Sequence, residues 1–223
     1  MPAAGRGQRL PGEVPKQYRR IAGRSLLDHS LAALLACPAI DRVLVGLAAD
    51  DAHWADSEFN ADPRLQTFRG GEERADTVLA GLEALAADWP DMGAVLVHDA
   101  ARALLPAESL ARLVAEVPGE DGALLAIPVA DTVKRSLDGR RVETTVNRDE
   151  LWLAQTPQYF RCDTLRASLG QAVAEHRQVT DEASAMEACG YSPRLVPGDP
   201  VNFKITTAAD LALATLILEA RCA

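Results

Sequence analysis

Three short, nearly uninterrupted apolar runs constrain this chain most: Arg42-Val-Leu-Val-Gly-Leu-Ala48, Ala94-Val-Leu-Val-His98 and Ala123–Val129. Each is too short for an ordinary helix and too apolar for a strand with one wet face, so each reads as a strand buried on both faces. Helical periodicity lies between them. Ser25 and Asp28 form a variant capping box for a helix through Leu26, Leu27, Leu31, Leu34 and Leu35, which Pro38 stops. Leu65–Arg69 is a weaker strand, and Gly70-Gly-Glu-Glu-Arg74 leads into a helix carrying Val78, Leu79, Leu82 and Leu85. Pro106 opens a helix with Leu110, Leu113 and Val114. Strand and helix alternate in this way when a parallel sheet carries helices on both faces.

Beyond residue 130 the pattern changes. Thr132–Val146 is polar and alternating around Asp138-Gly139, a hairpin signal. Such a ribbon has no core of its own and is expected to lean on a second subunit. Thr180-Asp-Glu caps a short helix ending at Gly190. Arg194–Val196 and Val201–Thr206 read as edge strands, and Thr207–Cys222 as the closing helix.

The 223 residues suffice for one α/β domain or two small ones. Lys and Arg number 23 against 32 Asp and Glu, a net charge of −9, and such a surface repels nucleic acid and anionic membranes. An anionic ligand therefore needs a local group of cations. The first sixteen residues supply one: Ala3, Ala4, Gly5 and Gly7 let the backbone approach a ligand closely, and Arg6, Arg9 and Lys16 gather charge beside them. The dinucleotide fingerprint fails, because Leu10 stands where its third glycine belongs, and no Gly-Lys-Ser/Thr completes a phosphate loop. The four cysteines are scattered, without metal or redox spacing, and read as reduced thiols, three of them buried. No apolar run is long enough to cross a bilayer and no signal peptide precedes the loop, so a cytoplasmic location is expected.

In an open parallel sheet, ligands bind beyond the carboxyl ends of the strands. Those ends hold the 70–74 loop, His98-Asp-Ala-Ala-Arg102, Asp131-Thr-Val-Lys134, Gln155-Thr-Pro-Gln158, Thr180-Asp-Glu182 and Asn202-Phe-Lys204. With Pro2-Ala-Ala-Gly-x-Gly-x-Arg9 and Pro15-Lys-Gln-Tyr18, this ordered set resembles the 2-C-methyl-D-erythritol 4-phosphate cytidylyltransferase family along essentially the whole chain.

The resemblance implies an α/β, Rossmann-like fold: one nucleotidyltransferase domain spanning 1–223, a mostly parallel twisted sheet with helices on both faces. It implies a protruding hairpin arm, about 132–148, that clasps two copies into a homodimer. The implied reaction transfers CMP from CTP to methylerythritol 4-phosphate, with magnesium, and releases pyrophosphate. Pro2, Ala3, Ala4, Gly5 and Gly7 would wrap the triphosphate, with Gly71, Glu72 and Thr77 toward base and ribose. Arg74, Asp99 and Ala100 would complete the CTP site. Asp99, Arg102, Thr156, Thr180 and Lys204 would receive the sugar phosphate, and Thr132 and Arg148 would reach into the neighbouring subunit. An anionic phosphate nucleophile needs no general base, so positioning and charge stabilisation carry the rate. Arg9 and Lys16 are assigned to the α-phosphate and leaving group, and Asp99 to the magnesium.

Plainer roles compete at several positions. Asp99 and Thr180 could each cap a helix, and Lys204 could be a solvated edge charge. His98 is read as structural, Trp152 as core or interface, Trp54 and Trp89 as packing residues, and Arg140 and Arg141 as exposed hairpin charges. The family pattern is not followed everywhere. A strand usually leads into Pro-Ala-Ala-Gly, whereas Met1 stands directly before Pro2, and a sheet lacking that strand is expected to be unpaired in its middle. Ala103 replaces a usual proline, and Thr77 a common serine. The competing activities are a ribitol-5-phosphate cytidylyltransferase, a nucleotide-binding regulatory module and, disfavoured by the absent third glycine, a nicotinamide oxidoreductase.

Overall fold

The computed structural model describes residues 1–5, 14–116, 119 and 121–222. A single 3-10 turn, Lys16–Tyr18, leads to a small antiparallel pair, β1 (Arg20–Ile21) and β2 (Arg24–Ser25). Ser25 then caps α1 (Leu26–Leu35), its Oγ accepting the Asp28 N–H at 3.0 Å. The apolar run at 43–47 is β3 (Val43–Leu47), buried at every residue and paired in parallel with β4 (Leu65–Arg69). After α2 (Arg74–Asp88) come β5 (Ala94–Val97), α3 (Ala107–Ala115) and β6 (Ala123–Pro128). Pro106 is the residue just before α3, in an extended conformation, rather than a residue of its first turn.

The hairpin forms from β7 (Val133–Arg135) and β8 (Thr144–Val146), paired only with each other. Its connection is longer than a two-residue turn. Asp138 Oδ1 accepts the N–H groups of Arg140 and Arg141 at 2.8 and 2.9 Å, tying the loop to itself. The long β9 (Trp152–Arg161) follows, then α4 (Cys162–Ala174), α5 (Glu182–Ala188), β10 (Arg194–Pro197) and α6 (Ala208–Cys222).

The four-stranded sheet has the order β10-β6-β9-β5. β10 runs parallel to β6, but β9 is antiparallel to both neighbours, so the sheet is mixed. This strand is absent from the sequence reading because Pro157 lies inside it and proline cannot donate to a ladder. The register explains the tolerance: β6 pairs Leu124 with Gln158 and then Ala126 with Ala154, leaving Gln155, Thr156 and Pro157 opposite Leu125 alone. Pro157 therefore occupies a bulge, where no N–H is needed.

Alternation along β3 splits the core. Val43, Val45 and Leu47 face α1 and α3, packing with Leu31, Leu34, Leu110 and Leu113, while Leu44 faces α2 and α4, packing with Val78, Leu82, Leu165 and Leu169. A third cluster seats α6 through Ala214 and Leu218 against Leu26, Leu104 and Ile205. Gly46 permits close approach of β3 to α2, since a Cβ there would lie 2.6 Å from Thr77 Cγ2 and 2.7 Å from Phe68 Cζ.

Among the described residues no ladder joins β3 to β5. Along the free edge of β3 run only Met1–Ala3, with Gly46 N–H donating to Met1 O at 3.0 Å and Ala3 N–H to Gly46 O at 2.8 Å. The Met1 ammonium donates to Leu44 O at 2.6 Å, and burial lowers its pKa to about 5. Beyond it lies an apolar cavity of about 200 Å³ bounded by Val43, Leu44, Leu82, Ala94 and Leu96.

Other expectations are corrected. Residues 201–206 form a loop, anchored by the Ile205 N–H on Ala101 O at 2.9 Å, and not a strand. Only Cys162 is buried; Cys37 and Cys189 are partly exposed, and the side chain of Cys222 lies outside the described residues. Trp152 is exposed in the single chain and so is no core residue of it, while Trp54 and Trp89 pack against the core, as the sequence suggested. Among the described residues no helix is long and apolar enough to cross a membrane.

Candidate active site

The carboxyl ends of β3, β4 and β5 open on a polar cleft of about 230 Å³. Pro2, Ala3, Ala4 and Gly5 form one wall, with Lys16 behind them; Gly71, Glu72, Arg74 and Thr77 form another; Asp99, Ala100 and Lys204 lie across the floor and far side. Twelve of the residues singled out from the sequence thus share one cavity. Gly7 and Arg9 lie outside the described residues.

Each wall is held by bonds the sequence did not announce. Buried Gln17 donates through Nε2 to Ala3 O at 2.7 Å, fixing the entry of the small-residue turn. Thr77 is buried in the first turns of α2; its Oγ1 accepts the Gly71 N–H at 3.1 Å and donates to Glu73 O at 3.1 Å. Its hydroxyl shapes the 70–74 loop from a position on the cleft wall. A side chain at Gly71 would meet Asp76 Cβ at 2.4 Å, so only glycine lets this loop fold back on α2.

Asp99 is the electrostatic centre. Its Oδ1 accepts from Arg74 Nε at 2.9 Å, and its Oδ2 receives Lys204 Nζ at 2.7 Å. Burial pushes its pKa up, but the charges of Arg74 and Lys204 outweigh this and hold the carboxyl well below the usual carboxylate range. Asp99 caps no helix and Lys204 is no solvated edge charge: each is the other's partner. Arg74 also grips Glu182 in a fork, Nη1 to Oε1 at 2.6 Å and Nη2 to Oε2 at 3.0 Å. Burial works against the charge on Arg74, and the two carboxylates more than restore it.

Beneath the cleft, the Asp99 N–H donates to Thr156 Oγ1 at 3.0 Å, and the Thr156 hydroxyl in turn reaches His98 Nδ1 at 3.0 Å. That leaves Nε2–H of His98 for Arg102 O at 3.3 Å, so the ring is the neutral Nε2–H tautomer. Burial lowers the His98 pKa to about 4. His98 is structural, as the sequence suggested, and buried Thr156 supports Asp99 from below. Arg102 donates through Nη1 to Asn202 O at 2.7 Å and lies beside the cleft, its pKa lowered by burial and by Arg74 although Asp99 opposes the shift.

Thr180 is exposed and does not cap α5. The cap is Asp181, whose Oδ1 accepts the Ser184 N–H at 3.0 Å. Thr132 and Arg148 are exposed beside the hairpin and line no part of this cleft, Arg148 donating to Ala130 O. Glu182 went unnoticed in the sequence, where it reads as part of a cap. One signal was available: Ala185 and Met186 make its side of α5 the buried one, and three- and four-residue spacing puts an acid there.

A small-residue turn and a chain of buried ion pairs at the strand ends of an α/β sheet make a site of the nucleotide-binding class. Comparison with known proteins narrows this class. The family model IspD, 2-C-methyl-D-erythritol 4-phosphate cytidylyltransferase, matches residues 1–220, and the chain belongs to that family. The enzyme of that name from Azoarcus sp. (strain BH72) is 50% identical over 224 residues, covering 99% of this chain and 93% of the relative. A crystal structure of a 4-diphosphocytidyl-2C-methyl-D-erythritol synthase superposes with a TM-score of 0.84 at 37% identity, covering 97% of this chain and 95% of the other. That of the Francisella tularensis 2-C-methyl-D-erythritol 4-phosphate cytidylyltransferase gives 0.83 at 32% identity, covering 96% of each chain.

Proposed function

We propose that this chain transfers CMP from CTP to the phosphate of 2-C-methyl-D-erythritol 4-phosphate, forming 4-diphosphocytidyl-2-C-methyl-D-erythritol and pyrophosphate. The observation that carries this reading is the single cleft that joins the small-residue turn and Lys16 to the Arg74–Asp99–Lys204 system. The chain is read as one nucleotidyltransferase domain. A phosphate oxygen of the sugar attacks the α-phosphorus, the bond to the β-phosphate breaks, and its electron pair leaves on pyrophosphate. No proton is transferred, which agrees with a site whose only buried histidine is neutral and bonded on both nitrogens. What the protein supplies is alignment and positive charge.

The turn Pro2–Gly5, continuing through Gly7, wraps the triphosphate. Lys16 and Arg9 stabilise charge on the α-phosphate and the departing pyrophosphate. Gly71 and Glu72 face base and ribose, and Ala100 floors the nucleotide. Lys204, Arg102 and Asp99 align the sugar phosphate from one subunit, with Thr180 at the rim and Thr132 and Arg148 contributed by the second copy. Support for a clasp comes from the arm itself: Leu137 and Val142 are 80% and 62% exposed in the single chain.

Asp99 does not fit a resident magnesium ion. Both of its oxygens are committed to cations, and among the described residues no group of three His, Cys, Asp or Glu could hold a metal. Magnesium enters with the triphosphate, as part of the substrate. The test is pyrophosphate release with CTP and magnesium, offered methylerythritol 4-phosphate or ribitol 5-phosphate. Turnover of the former is expected. Preferential turnover of ribitol 5-phosphate reassigns the acceptor, and nucleotide binding without turnover points to a regulatory module.

A further inference from the structure

Glu182 is wholly buried, 108 residues from its partner in sequence, and has been given no role of its own above, although Thr180, in the same segment, has. Its carboxylate takes both terminal nitrogens of Arg74, a bidentate contact that fixes the plane of the guanidinium as well as its position. With that plane fixed, the remaining Nε–H has one direction, toward Asp99 Oδ1. Asp99 then presents its second oxygen to Lys204. The acid itself is well held. Gln158 bridges the start of α5, accepting the Ala183 N–H at 2.8 Å and donating to Asp181 Oδ2 at 2.8 Å. The helix start is thereby tied to β9, in the sheet below the cleft.

We propose that Glu182 is a positioning residue for the acceptor half of the reaction: its grip on Arg74 orients Asp99, and through Asp99 places the ammonium of Lys204. This rests on the functional reading above. A buried carboxylate against an arginine is weak evidence for stability, because desolvation offsets most of the attraction. Its use here is direction. Without the fork, Arg74 retains its charge but not its orientation, and Asp99 loses the contact that holds its Oδ1. The disturbance falls on the sugar-phosphate side, while the Pro2–Gly5 turn, anchored separately through Gln17, is left in place.

The experiment compares the unaltered enzyme with Glu182→Gln and Glu182→Asp. Steady-state kinetics with each substrate varied give the KM and kcat values, and calorimetry gives CTP affinity without the acceptor. For Glu182→Gln the expected result is a KM for methylerythritol 4-phosphate raised by about tenfold or more, with CTP affinity within about threefold of the unaltered enzyme. Glu182→Asp, which keeps the charge on a shorter stem, should fall between the two. Should the Gln variant not fold, the Asp variant carries the test. An unchanged acceptor KM in the folded variants, or equal weakening of CTP and acceptor, overturns the proposal and leaves Glu182 a packing residue. Failure of the functional reading is seen separately, as absence of pyrophosphate release by the unaltered enzyme.

Discussion

Asp99 shows how little a residue's role here depends on its own chemistry. A carboxylate with 9% of its side chain exposed stays ionised because Arg74 and Lys204 flank it, and none of the three is adjacent in sequence. Lys16 lines the same cleft, beside the small-residue turn. Losing one preorganised charge donor should remove about 2.7–4 kcal/mol of transition-state stabilisation. Lys16→Ala is accordingly expected to lower turnover roughly 10²–10³-fold with an unchanged circular dichroism spectrum; near-normal turnover would remove Lys16 from the mechanism. His98 makes a prediction about pH. Its folded pKa, about 4, lies below the ordinary 6.5, so the unfolded chain binds the extra proton between those values. The contribution of His98 is full above about pH 6.5 and falls as the pH drops toward 4, by about 3 kcal/mol for this group alone. Asp99 also loses stabilisation on acidification, but only below the ordinary carboxylate range. Urea unfolding at a series of pH values should show the His98 slope in the unaltered chain and its loss in His98→Gln.

Among the elements, those with one strong local signal were legible: Ala94–Val97, the capped helix at 26–35 and the buried strand at 43–47 need only their own residues to be recognised. β9 was not legible, because its proline forbids a regular strand and only the partner's register reveals the bulge that accommodates it. The site divides the same way. Its members could be named from motifs, but the pairing of Arg74 with Asp99 and Glu182, across 25 and 108 residues, is a property of the assembled chain. The arm is the element with least to hold it. β7 and β8 contact the rest of the molecule through no ladder, and the pair packs no core of its own. Replacing residues 133–146 with a short Gly-Ser link should convert a species of twice the 23.8 kDa chain mass into a monomer in light scattering. On the proposed function activity should fall with it, since Thr132 and Arg148 would no longer be carried into a second copy's site. A deletion variant that remains dimeric would show that other surfaces join the copies.

At the scale of the whole molecule two features stand out: an acidic body of net charge −9 around a cleft that pairs Lys16, Arg74 and Lys204 with Glu72, Glu73 and Asp99 on its walls, and the lack, among the described residues, of a ladder between β3 and β5. The division leaves apolar side chains facing a cavity instead of one another, and packing lost in this way weakens a fold. Ala94 borders that cavity on a strand, so Ala94→Val adds volume where there is room and a side chain suited to the conformation. Cavity filling of this kind commonly stabilises by about 0.5–2 kcal/mol, and a raised urea midpoint at unchanged slope is expected. A lowered midpoint would mean that the walls of the cavity cannot accept the added methyl groups.

The contact between Asp99 and Lys204 has a consequence for the catalytic cycle. With no substrate in place the lysine already has an anion, so the resting pocket is internally neutralised and its side chains are pre-aligned. On the proposed function, an arriving sugar phosphate would compete with a carboxylate for that ammonium. When the product departs, Asp99 would recover the lysine, which would moderate how tightly the pocket retains what it has made.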